Sequence, residues 1–175
     1  IEDIVQQFLK FAKPRQPEFE WEDLAGLVRE VVTVQAAAYE GTGINFSAYA
    51  PGLEAEVDAG FVVEILENLM KNAAQAVGDS GNVLVSLIAS GDFAEIAVVD
   101  DGPGVPETEQ DRIFDLYYTT RPEGSGLGLS LVAQMASAMG GSLTLDPEPG
   151  LDHKGARFVV TLPIRQPPRQ ERDSE

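Results

Sequence analysis

Two side-chain amides, Asn68 and Asn72, stand four residues apart in the segment ENLMKNAAQAV, with Lys71 beside them. On a helix that spacing puts both amides on one face. Neutral oxygens so placed suit Mg2+, a hard cation that keeps waters and phosphates in its shell. A lysine meets phosphate as a point charge. Further along, in VVDDGPGV, Asp100 ends an apolar run. Its carboxylate would stand at the mouth of a pocket and accept from an exocyclic amine, such as the N6 group of adenine. Gly102 and Gly104 would let the chain turn tightly beneath a flat ring. The stretch GSGLGLSLV then sets Gly124, Gly126 and Gly128 ahead of a helix, whose free N-terminal amides can bind phosphate. Each segment alone has a plainer explanation, a polar helix face or a turn built on D-G and P-G dipeptides. The three in this order argue together for a bound nucleotide.

These residues need elements to hold them. Apolar spacing of three and four predicts helices over Ile1–Lys13, Glu22–Tyr39 and from Asp58, as a cap, to Val77. A further helix is expected after Pro106, carrying Arg112, Ile113 and Phe114, and another from about Gly126 to Met139. Alternating stretches predict strands around Phe19–Trp21, at INFSAYA and LEAEV, in the pair VLVSLIAS and FAEIAVVD, and in SLTLD and ARFVVTLP. Helices and strands are mixed, with several strands adjacent in sequence. That pattern fits an α/β (α+β) two-layer sandwich, a mixed β-sheet packed against about three α-helices, with an N-terminal helical stub. No glycine cluster follows an early strand in the dinucleotide manner, and no G-x-x-x-x-G-K-[ST] occurs.

Composition narrows the field. The chain has 175 residues, 43% hydrophobic and 23% charged, values that support one globular domain. It has no cysteine, so disulfides and thiolate metal sites are excluded. No apolar run approaches the ~20 residues that span a bilayer. The expected setting is cytoplasmic, including the cytoplasmic part of a membrane-bound sensor. Twelve basic residues face 29 acidic ones, a net charge of −17, and such a surface repels nucleic acid. The tail RQPPRQERDSE has no apolar pattern and reads as disordered.

Taken together these segments resemble the catalytic ATP-binding domain of bacterial sensor histidine kinases, in the superfamily that also holds gyrase B, the Hsp90 chaperones and MutL. ENLMKNA is similar to the family's asparagine box, DDGPG to its first glycine box and GSGLGL to its second. RIFDLYYTTR resembles the phenylalanine box of nitrogen-regulatory sensors, and GARFVVTLP the closing strand. The resemblance covers roughly residues 18–164. It implies a catalytic domain at 17–165, preceded at 1–16 by the end of the second dimerisation helix and a connector, and followed by a tail at 166–175. It implies ATP and Mg2+ as ligands, with Asn72 on the metal and Asn68 and Lys71 toward the phosphates. Asp100 would fix the adenine amine, and Gly102 and Gly104 would shape the adenine side. Gly124, Gly126 and Gly128, with Leu127 between them, would meet the triphosphate. Thr119, Thr120 and Arg121 would belong to a lid, Arg121 joining Lys71 on the phosphates.

The resemblance also implies a chemistry. ATP-hydrolysing relatives carry a glutamate four residues before the metal asparagine, as base for water. Here Asn68 fills that place, and an amide takes no proton at neutral pH. ATP would be held unhydrolysed for another nucleophile. The family's phosphoacceptor motif, H-E-x-x-N-P, is absent, and the sole histidine, His153, lies in a turn between strands. The implied partners are the dimerisation and phosphoacceptor helices of the full-length protein, a homodimer, and a response-regulator receiver domain, with no nucleic acid. Leu116 stands where the family often has proline, and Ala156 where it often has threonine. Two other readings share the ATP boxes: an anti-sigma-factor-type serine kinase, against which the preceding FLKFAKP speaks, and a non-catalytic ATP-sensing module.

Residues 115–125 hold Pro122, Gly124 and few apolar side chains beyond Leu116, Tyr117 and Tyr118, so they have little to bury without ligand. Hydrogen–deuterium exchange should show their amides exchanging faster than those of Phe93–Val99 in the empty protein. A Mg·ATP analogue should slow them and ADP should slow them less. Equal protection in all three states would make the segment a fixed loop.

Overall fold

The computed structural model describes residues 12–13, 15–119, 124–146 and 154–167. In chain order the elements are β1 (Glu20–Asp23), α1 (Leu24–Ala38), β2 (Ile44–Tyr49), β3 (Glu54–Val57), α2 (Ala59–Val77), β4 (Gly81–Ser90), β5 (Phe93–Asp100), the short α3 (Glu107–Gln110), α4 (Gly128–Ala138), β6 (Ser142–Leu145) and β7 (Arg157–Pro163). Of the expected helix over Ile1–Lys13 only residues 12 and 13 are described; His153 and, of the expected tail at 166–175, residues 168–175 lie outside the described residues.

Five strands form one sheet in the order β2-β4-β5-β7-β6. The β2–β4 pair is parallel and the other pairs are antiparallel, so the sheet is mixed, as the sequence pattern predicts. Strand alternation puts every second side chain on one face. Val83, Val85 and Leu87 of β4, Ala94, Ile96 and Val98 of β5, and Phe158, Val160 and Leu162 of β7 are buried there against the helices. Ile96 stands opposite both Leu87 and Val160 across the central three strands. The helices answer with Val28 and Val31 of α1, Ile65, Leu66 and Leu69 of α2, and Leu131, Val132 and Met135 of α4. A smaller cluster of Ala97, Val99, Val159 and Leu84 lies apart from this core. β1 and β3 pair separately, antiparallel, and the Glu56 N–H donates to Ile164 O at 2.8 Å, joining that ribbon to the end of β7.

One expected element differs. The helix after Pro106 stops at Gln110, and Arg112, Ile113 and Phe114 follow in turns. Most backbone bonds there span three residues, Arg112 N–H to Glu109 O at 2.8 Å and Asp115 N–H to Arg112 O at 2.9 Å, beside one of four, Ile113 N–H to Glu109 O at 3.1 Å. A regular helix sets successive side chains ~100° apart, yet Ile113 and Phe114 both pack on the core, Phe114 edge-on to Phe158 at 6.5 Å. Packing overrides helical periodicity here.

Aspartates fix the starts of α1 and α2. Asp23 accepts from Gly26 N–H at 2.9 Å and begins α1. Asp58 accepts from Phe61 N–H at 2.9 Å and begins α2, and it also takes Glu18 N–H at 2.7 Å and both terminal nitrogens of Arg15. Burial pushes the Asp58 carboxyl up. The Arg15 guanidinium and the two backbone N–H groups outweigh it and lower the pKa to about 2. A depressed carboxylate contributes its full stabilisation above the ordinary range and loses it as pH falls through the folded value. The advantage of the native protein over Asp58→Asn in urea unfolding should therefore shrink by about 2 kcal/mol between pH 5 and pH 2. A constant difference across that window would remove the ionised carboxylate as its source.

Candidate functional site

The end of β5, the inner face of α2 and the start of α4 surround a cavity of about 710 Å3. Asp100 stands at one side of it, 2% exposed. Its Oδ1 accepts from Gly102 N–H at 2.9 Å and from Ala156 N–H at 3.3 Å, and its own N–H donates to Ala156 O at 3.0 Å. Backbone amides so placed fix the carboxylate in direction. The neighbouring Asp101 does a different job. It takes Asn82 N–H at 2.9 Å and the Asn82 side-chain amide at 2.8 Å, and so ties the end of β5 to the start of β4. Burial pushes Asp101 up, but the two Asn82 donors, with Lys154 further off, hold it below the ordinary carboxylate range. Of the paired aspartates, one faces the cavity and one staples the sheet.

Three glycines let the backbone close around Asp100. A Cβ on Gly102 would lie 2.9 Å from the Ala76 carbonyl of α2, so the loop passes directly against that helix. Gly104 has φ 76° and its missing Cβ would stand 2.9 Å from Gly155 O. Gly155, also at φ 76°, rests on the Asp100 carbonyl with no room for a side chain. Val105, Ile113, Ala73, Ala76, Ala156 and Phe158 line this apolar part of the cavity. A flat ring with an exocyclic amine toward Asp100 suits such walls.

The polar part is carried by α2 and α4. Asn68, Lys71 and Asn72 all line the cavity from α2. The Asn68 amide nitrogen donates to Glu64 O at 2.8 Å, which fixes how its oxygen is presented. A Cβ on Gly128 would lie 3.4 Å from that oxygen and 3.9 Å from the Asn72 amide nitrogen, so the first turn of α4 faces both amides. Leu127 caps α4 without a side-chain bond to the helix amides. The neutral oxygen donors of Asn68 and Asn72 fit Mg2+ held partly by phosphates. Among the described residues no group of three His, Cys, Asp or Glu offers a rival metal site.

The structure brings Asn68, Lys71, Asn72, Asp100, Gly104, Thr119, Gly124, Gly126 and Gly128 to this one cavity. Gly102 acts from behind it, by orienting Asp100. Leu127 is 1% exposed and buries its side chain away from the lining. Thr120 and Arg121 lie outside the described residues. Gly155, Gln75, Glu109 and Ser125 were not singled out from the sequence. Gly155 and Ser125 sit inside the quoted boxes and could have been found there; Gln75 and Glu109 carry no sequence signal of their own. Tyr117 holds φ 63°, and its N–H donates to Gly126 O at 3.0 Å. A Cβ on Gly126 would strike the Tyr117 backbone. These two residues thus close the neck of the segment between them.

Comparison with known proteins identifies a family. Residues 57–166 match the model of the histidine kinase-, DNA gyrase B- and HSP90-like ATPase family. The chain belongs to that family. The nitrogen regulation protein NtrY of Azorhizobium caulinodans is 29% identical over 98% of this chain and 23% of its own length. The full-length kinase ShkA, solved with AMPPNP, superposes with a TM-score of 0.81 at 29% identity, covering 93% of this chain and 35% of ShkA. Histidine kinase ThkA, solved with the response regulator protein TrrA, gives 0.78 at 26% identity over 93% of this chain and 47% of ThkA. The chain thus spans about a quarter to a half of these kinases. The mixed sheet with helices on it is the fold of this ATPase family. Among the described residues no helix is long and apolar enough to cross a membrane.

Gly128 discriminates a ligand role from a packing role. Its φ is not positive, and a Cβ would meet only ordinary contact distances. Gly128→Ala should therefore keep or raise stability, by up to ~1 kcal/mol. It should weaken adenine nucleotide binding by about tenfold, if phosphate approaches the α4 amides closely. Thermal melts and calorimetry on the same samples check both, and unchanged affinity would move the phosphates elsewhere.

Proposed function

We propose that this domain binds Mg·ATP in the cavity and supplies the γ-phosphoryl group to a histidine of the longer protein to which it belongs, in a two-component signalling kinase. The observation that carries the reading is one cavity with two chemically distinct ends. A buried, amide-held carboxylate stands among apolar walls at one, and a lysine with two facing asparagines lies before a helix N-terminus at the other.

In this reading Asp100 accepts from the adenine N6 amine, while the Gly102 and Ala156 N–H groups hold its Oδ1 in place. A guanine oxygen in that position would face a carboxylate and be repelled. Lys71, exposed on the lining of the cavity, meets phosphate charge, and the first amides of α4 turn toward the same group. Asn72 would hold Mg2+, with Asn68 beside it, and the ion would neutralise triphosphate charge. Phosphoryl transfer needs chiefly positioning and charge neutralisation. Asn68 offers no base to activate water, which supports slow hydrolysis and survival of ATP until a histidine nitrogen arrives. That histidine, on phosphoacceptor helices of a homodimeric full-length protein, would pass the group to a response-regulator aspartate. Residues 1–16 would lead to those helices, 17–165 would be the catalytic domain and 166–175 a tail. Thr119, Thr120 and Arg121 would cover the phosphates.

Two measurements test the reading. Asp100→Asn loses a charge-assisted bond and misplaces a donor, so ATP affinity should fall about ten- to a hundredfold, roughly 1.5–3 kcal/mol, with weaker discrimination against GTP. Calorimetry with both nucleotides reads it, and an unchanged ATP affinity would take Asp100 out of the base site. With γ-labelled ATP the chain alone should take up almost no label, and should label acid-labile, alkali-stable phosphohistidine on phosphoacceptor helices supplied in trans. Alkali-labile, acid-stable label on a partner would favour the serine-kinase alternative. Binding without any transfer would favour the non-catalytic one.

A further inference from the structure

Arg15 lies ahead of the first strand, and β1 already ties the chain to β3 through residues 20–23. The sheet does not require Arg15 to dock. Its guanidinium nevertheless makes a two-pronged pair with Asp58, Nη1 to Oδ2 at 2.6 Å and Nη2 to Oδ1 at 2.7 Å. It also covers the Phe61 ring at 4.1 Å from the centroid. Glu18 N–H adds a third donor from the same segment, and Asp58 itself is 3% exposed. A second, independent feature points the same way. Gly60 occupies the first turn of α2, where alanine would be the better helix former. A Cβ there would stand 3.0 Å from Arg15 Nη2 and 3.3 Å from Asp58 Oδ1. The missing side chain is the room in which the fork sits.

We propose that Arg15 is a positioning residue for phosphoryl transfer: it fastens the segment before the domain to the N-terminus of the nucleotide helix, and so sets where the upstream chain stands relative to the bound γ-phosphate. The inference rests on the kinase reading above. α2 is a continuous helix, and Asn68 and Asn72 lie about 15 and 21 Å along it from Asp58. The same element thus holds the upstream chain at one end and the metal-facing amides further on. Released residues 15–17 would give that chain about 10 Å of extra reach. Misplacement of a reacting group by ~1 Å can cost a hundredfold in rate, so loosening this joint should damage delivery far more than nucleotide binding.

The test separates kcat from KM in the full-length kinase. Autophosphorylation is followed over a range of ATP for the native protein, Arg15→Ala, Arg15→Lys and Gly60→Ala, with nucleotide Kd measured on each. For Arg15→Ala we expect Kd to stay within about twofold and kcat at saturating ATP to fall about tenfold or more. Arg15→Lys should recover part of the rate, because one ammonium cannot span both carboxylate oxygens. Gly60→Ala should lower kcat in the same direction by crowding the fork. Should Arg15→Ala fail to fold, the other two variants, which keep a cation at position 15, carry the test. Unchanged kcat in the variants of an active kinase, or a loss confined to Kd and KM, overturns the proposal alone. A native full-length protein that forms no phosphohistidine overturns the kinase reading and this one with it.

Discussion

The fold turns on the burial of one carboxylate at the end of a central strand. Asp100 is placed there by β5, whose register against β4 and β7 is set by the core side chains on the helix-covered face. A polar group so deep is tolerable only if donors meet it. Gly102 and Ala156 supply backbone N–H groups, and they can approach because Gly102, Gly104 and Gly155 carry no side chains where α2, the loop and β7 converge. Remove that convergence and this end of the cavity has neither its acceptor nor its walls. The adjacent Asp101, bound to Asn82, keeps the strand end from shifting. Two identical residues in sequence therefore carry unrelated duties.

Charge frames a second constraint. A chain of net charge −17 is a poor general host for a polyanion. The cavity answers locally, with Lys71, neutral amides and helix-terminal N–H groups in place of carboxylates along α2 and α4. Asn68 and Asn72 matter here for what they lack as much as for what they offer. Carboxylates at either place would bind a cation more strongly but would add repulsion against phosphate.

Most of the architecture was legible because its signals are local. Asp58 as a helix cap, the alternation in β4, β5 and β7, and the four-residue spacing of Asn68 and Asn72 follow from neighbouring residues alone. The α3 region was misjudged, since Ile113 and Phe114 obey a distant partner, Phe158, that no local pattern announces. Gly155 was passed over for a similar reason: its need for φ 76° arises from contact with Asp100, 55 residues earlier in the chain. The division of labour between Asp100 and Asp101 depends on which side of the strand each faces. Sequence adjacency hides that difference.

The closed neck at Tyr117 and Gly126 bears on how this chain can vary. The Tyr117 N–H to Gly126 O bond and the backbone contact beneath it hold the two ends of the intervening segment together. What lies between enters and leaves at one point, so its length is decoupled from the rest of the domain. Loop entropy grows slowly, about 0.6 kcal/mol for each doubling of length. Insertions or replacements between these residues would leave the sheet register and the α2–β5 contacts as they are. The segment between them can thus be redesigned as a cassette, provided that position 126 remains glycine.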